Sequence, residues 1–214
     1  MQPLDDSSNP LIKAFPARLA SDAEAVLALI PDSRLQPFLW FSVAVEGRQM
    51  LIPERLYNDE PPADAVASLS PRQRQLLHCL YSRHCDGRVR QRHLEEIVGS
   101  ADPWAVPYVV RLVGEYVVEI LVVIRDELRG LADPGTPGHL AYGQFLVDNP
   151  VFFARVQRQV VSYWNCYHRS HNHASFQGYP GCTLLDLLRA AASDRAGRPW
   201  PNLAPSGARA HGYC

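Results

Sequence analysis

The segment from Val106 to Ile124 constrains this chain most: it is apolar on nearly every side yet carries Arg111, Glu115 and Glu119 near its centre. Charges in that position argue against a membrane span, since each costs about 2.5 to 3.5 kcal/mol at mid-bilayer. A stretch so apolar has to be enclosed by other elements instead. Asp102-Pro-Trp-Ala-Val-Pro107 is a helix-start signal, and the pattern predicts one central helix running from Pro107 to about Leu128.

The rest of the chain reads as the shell around it. Ser21-Asp-Ala-Glu24 has the form of a capping box, in which the Ser and Glu side chains each satisfy an N–H that the helix start leaves open, so a helix is expected to about Ile30. Phe38–Val45 and Arg48–Ile52, joined at Glu46-Gly47, predict a β-hairpin with Leu39, Phe41, Val43 and Val45 on one face. Asn58 to Ala67 reads as a loop, and Ser70-Pro-Arg-Gln73 opens a helix with a second capping box that ends near Asp86-Gly87. Further helices are expected over 89–98, 140–147 and from Pro150, the last with Phe153, Val156, Val160, Trp164 and Tyr167 on one side. A loop over 168–181 and a final helix from Thr183 to about Ser193 complete the reading. The expected fold is mainly α: a single-domain irregular bundle of about six helices with one N-terminal β-hairpin at 38–53. It spans 21–194, between an N-terminal arm (1–20) and a flexible C-terminal tail (195–214).

Composition fits this. Of 214 residues, 47% are hydrophobic and 20% charged, the balance of an ordinary globular chain. A net charge of −1 gives the whole chain no pull toward nucleic acid or anionic lipid. The first fifteen residues hold Asp5 and Asp6 and no apolar run of the kind a secretory signal needs. Five cysteines, an odd number with no CxxC pair, suit reduced thiols. A soluble, cytoplasmic protein without a membrane partner is the expectation.

Three groups of residues are candidates for chemistry. His78, Cys79, His84, Cys85 and His93, with Cys166, His168, His171, His173 and Cys182, are residue types that bind zinc, although no two sit at the spacing of a compact knuckle. Within them His168, His171 and His173 are close enough to close on a divalent metal ion, against the simpler reading of a solvated loop after a helix end. Glu115 and Glu119, four apart on one predicted helix, would share a face as paired catalytic acids do, against an internal ion network with Arg111 and Arg88, Arg90 or Arg92. Arg83, Arg88, Arg90, Arg92 and His93 form a basic run suited to a binding surface. No glycine-rich phosphate loop, GxSxG elbow or HExxH motif is present. No cofactor follows from the sequence. The leading expectation is a protein-interaction or adaptor role; the alternatives are a metal-binding enzyme or sensor using His and Cys, and an RNA- or DNA-binding helical module.

Overall fold

The computed structural model describes residues 9–170 and 175–203. Among these the chain is mainly α-helical, with nine α-helices and one two-stranded antiparallel sheet near the N-terminus. It divides into two compact units, one up to Glu96 and the other from Ile97.

The first unit begins with a 3-10 turn, Pro10–Ala14, and a second, Ala17–Leu19, that runs straight into α1, Ala20–Leu27. Leu11, Ala14, Phe15 and Leu19 are buried, so this stretch belongs to the core rather than to an N-terminal arm. The same continuity overturns the predicted cap at Ser21: Leu19 occupies the cap position without a side-chain hydrogen bond, and Ser21 is already inside the first turn. Strands β1 (Trp40–Val45) and β2 (Arg48–Pro53) pair as a hairpin, Val45 opposite Arg48. Glu46 and Gly47 both take positive φ, 52° and 73°, as a tight two-residue turn between right-twisted strands requires. Glu46 is held there by its carboxylate, which accepts from the Arg18 guanidinium at 2.9 to 3.1 Å. Phe41, Val43 and Val45 face the core as the alternation predicts, while Leu39 lies before the strand and is exposed.

A short helix, α2 (Ala63–Ala67), stands in the expected loop and leads to α3 (Pro71–Tyr81). Here the capping box forms in full: Gln73 N–H donates to Ser70 Oγ at 3.3 Å, and Gln73 Oε1 accepts from Ser70 N–H at 2.9 Å. Asp86 does not end α3. It caps the next helix, α4 (Gly87–Glu95), by accepting from the Arg88 N–H at 2.7 Å.

In the second unit the predicted central helix is two helices. α5 (Val106–Val113) is buried at every residue, whereas α6 (Val118–Glu127) buries only Ile120, Leu121 and Ile124. The break lies at Gly114, whose N–H and that of Glu115 turn back three residues, to Arg111 and Leu112, and close the last turn tightly. A side chain at Gly114 would come within 3.0 Å of Gln159 Oε1, so glycine serves both the stop and the close approach. Helices α7 (Pro137–Asp148), α8 (Pro150–Tyr163) and α9 (Pro180–Ala196) complete the unit. α8 passes into a π-helical turn, Trp164–His168, whose extra residue per turn rotates Tyr167 away from the Phe153–Val156–Val160–Trp164 stripe and leaves it exposed. α9 starts at Pro180, so Thr183 lies within its first turn rather than capping it. Past α9, Trp200 N–H donates to Ser193 Oγ at 2.9 Å and Leu203 N–H to Gln157 Oε1 at 3.2 Å. The beginning of the expected tail is thus tied to the helices; residues 204–214 lie outside the described residues.

Candidate functional site

The segment that follows the hairpin is threaded past the end of α3 by main-chain bonds. Leu56 N–H donates to Arg83 O and Cys85 N–H to Leu56 O, each at 2.8 Å. The Tyr81 hydroxyl donates to Asp59 O at 2.6 Å, and Asn58 Nδ2 to Pro31 O at 2.9 Å. Together these bonds fix Glu60, in what the sequence shows only as an acidic loop, opposite α4.

Glu60 meets two α4 side chains at once. Its Oε2 accepts from Arg92 at 2.5 Å, and its Oε1 lies 2.8 Å from His93 Nε2. His93 is 7% exposed, and the Tyr81 ring stacks on it at 5.1 Å between centroids. Its other ring nitrogen, Nδ1, lies 2.9 Å from Nδ1 of His78 on α3. A continuous chain, Glu60–His93–His78, is the result.

The protons in this chain follow from which groups can donate. The Glu60 carboxylate, paired with Arg92, accepts, so His93 Nε2 carries a proton. Burial, partly offset by Glu60, lowers the His93 pKa below the ordinary 6.5, and at neutral pH the ring holds that single proton. His93 Nδ1 is then a lone pair, and the 2.9 Å contact requires His78 Nδ1 to donate. His78 Nε2 is left as an open acceptor, with no hydrogen-bond partner among the described residues. Burial and the neighbouring His93 lower the His78 pKa as well, so this nitrogen is unprotonated near pH 7.

His78 and His93 line a cleft of about 380 Å³. Glu60, Arg92 and Glu96 complete its polar side, and Pro61, Ala63, Val66 and Leu77 form an apolar wall. Base, anchoring carboxylate and apolar surface therefore meet in one concavity, as small-molecule sites generally require.

The other predicted residues are dispersed. In the basic run, Arg83 and Arg90 are buried and act on main-chain carbonyls, Arg83 on Glu54 O at 2.7 Å and Arg90 on His84 O and Cys85 O at 2.9 Å. Only Arg88 and Arg92 are exposed, so the run does not present a continuous basic face. The helix break separates the two acids: Glu115 is 2% exposed in the turn after α5, and Glu119 is exposed on α6. They do not share a helix face, because the helix that would have aligned them stops at Gly114. His168 Nε2 is bonded to Tyr116 O at 2.8 Å, and its ring stacks on Tyr179. His171 and His173 lie outside the described residues. Of the cysteines, Cys79 and Cys182 are buried, and Cys85 and Cys166 are exposed. Among the described residues no group of three or more His, Cys, Asp or Glu side chains is arranged to hold a metal ion, and no helix is long and apolar enough to cross a membrane. In the second unit a smaller cleft, about 270 Å³, is lined by His139, Asp194 and Arg195.

Compared with known proteins, the chain matches no family model, no curated protein and no solved structure. Its function has to be read from the site itself.

Proposed function

We propose that this protein is an enzyme of small-molecule chemistry in which His78 Nε2 is the general base. The observation that carries this reading is the unbroken Glu60–His93–His78 chain, whose last member lines a cleft and has no hydrogen-bond partner at Nε2 among the described residues. A carboxylate that orients an imidazole, which in turn sets the tautomer of the group doing the chemistry, is the logic of hydrolytic triads extended by one ring. When His78 Nε2 takes a proton, the developing charge faces His93 Nδ1 and, through that ring, the Glu60 carboxylate. Glu96, which lines the same cleft, also favours the protonated state, while Arg74 opposes it. The expected protein-contact role keeps one supporting observation, the exposed apolar side chains of Leu35, Phe38, Leu39 and Leu51. The relay is the more specific of the two, because its parts have little use except together.

Hydrolysis of 4-nitrophenyl acetate tests the base without knowledge of the natural substrate. His78 Nε2 would take a proton from water as the water oxygen attacks the ester carbonyl, and 4-nitrophenolate leaves as acetate forms. Rate above background should fall by about 100-fold in the His78→Gln variant, the low end of what general-base groups contribute, and by a smaller factor, about 10-fold, in Glu60→Gln, which acts only through His93. Because the base has a lowered pKa, activity is full above pH 6.5 and is lost as pH drops through that lowered value. Turnover unchanged in His78→Gln contradicts the proposal.

A further inference from the structure

The cleft carries two charges of opposite sign with hydrogen-bonding capacity left over. Arg92 uses one terminal nitrogen on Glu60, and its remaining N–H groups have no partner among the described residues. Glu96 closes α4 as its C-cap residue, and its carboxylate has no hydrogen bond or ion pair among the described residues. The two are four apart on one side of α4, about 6 Å along the helix axis. They would ordinarily pair with each other, but Arg92 is drawn to Glu60 instead. An acid at a helix C-terminus is also poorly placed against the helix dipole, and an added cation there relieves it. The same cleft is lined by the apolar side chains of Pro61, Ala63, Val66 and Leu77.

We infer that the cleft takes a small zwitterion with an aliphatic body, an α-amino acid of the size of leucine or a close derivative, its carboxylate on Arg92, its ammonium on Glu96 and its side chain on the apolar wall. The inference rests on the general-base reading for what happens to the ligand and adds which ligand it is. Matching both charges is what selects the class. An acid without the amine leaves Glu96 beside an apolar group, and an amine without the acid leaves Arg92 in the same state, so each single-charge analogue forfeits one charge-assisted contact. The cleft volume, about 380 Å³, accommodates a molecule of this size.

Isothermal titration of the full chain with L-leucine, 4-methylpentanoate and 3-methylbutylamine tests it. L-Leucine should bind at least about 10-fold more tightly than either analogue, the loss expected for one charge-assisted hydrogen bond. In Glu96→Gln, L-leucine should fall to the affinity of 4-methylpentanoate, and in Arg92→Gln to that of 3-methylbutylamine. Glu96 makes no hydrogen bond in the Glu60–His93–His78 chain but raises the His78 pKa, so its variant is titrated at pH 8, where His78 is neutral with or without it. Equal affinity for all three compounds, or no binding of L-leucine, overturns the assignment. If L-leucine fails while ester turnover still depends on His78, the ligand class falls and the base stands; if turnover does not depend on His78, the general-base reading and the inference built on it fall together.

Discussion

Residues of one chemical type meet different fates here according to the few bonds around them. Arg83 and Arg88 belong to one basic run, yet Arg83 has a fully buried side chain and Arg88 is exposed. Arg83 sits over the Phe41 ring at 5.8 Å, donates to Glu54 O and lies 3.6 Å from the Glu54 carboxylate. It fastens the end of the hairpin to the end of α3. Removing one partner from a buried ionic contact costs about 3 to 5 kcal/mol, because the other charge stays buried. Arg83→Ala should therefore lower the unfolding free energy by about that amount, whereas Arg88→Ala should stay within about 0.5 kcal/mol. Urea denaturation of the two variants measures both, and equal effects would contradict the division of the run. Composition showed the charges but not this division, since nothing local in the run from Arg83 to Arg92 says which guanidinium turns inward. His93 was legible only as one more cation, yet burial lowers its pKa and Glu60 takes the proton contact of its Nε2.

Elements were legible where their ends are written in side chains. Ser70 and Gln73 mark the start of α3, and the alternation over Phe41, Val43 and Val45 marks the inner face of β1. Helix ends made by backbone alone were not. Nothing periodic in the run from Val106 to Leu128 announces a stop, because valine and isoleucine on all sides satisfy every register; Gly114 is the single cue. The π turn at Trp164 is equally silent, as one additional residue in a helix leaves no compositional trace. Close packing of α7 on α9 also depends on a single glycine. A Cβ at Gly143 would lie 2.6 Å from Ala191 O and 3.1 Å from Arg195 Cβ, so the helices would have to separate. Gly143→Ala should destabilise by about 1 to 3 kcal/mol, as overpacking does. Gly138, in the first turn of α7 with nothing within 4 Å of its would-be Cβ, is the control: Gly138→Ala should stabilise by roughly 0.5 to 1 kcal/mol. Thermal unfolding of both variants checks the pair, and the same sign of shift in each would contradict the account.

On the scale of the molecule, the mainly α architecture and its one N-terminal hairpin could be read from the sequence, and the site could not. Its three ionisable members come from the segment after β2, from α3 and from α4, and 33 residues separate Glu60 from His93. No spacing rule joins them; what does is tertiary, the threading of residues 54–60 past the end of α3 by main-chain bonds. The histidines were visible as possible metal ligands, and the contacts of His78 and His93 support the proposed proton relay. That claim makes a definite statement about where two protons sit, and long-range ¹H–¹⁵N correlation of the histidine rings at pH 7.5 reads it directly. His93 should show Nε2–H with Nδ1 unprotonated, and His78 the less common Nδ1–H form with Nε2 unprotonated. Observation of His78 as the Nε2–H tautomer would place a proton on the nitrogen proposed to accept one and would contradict the account.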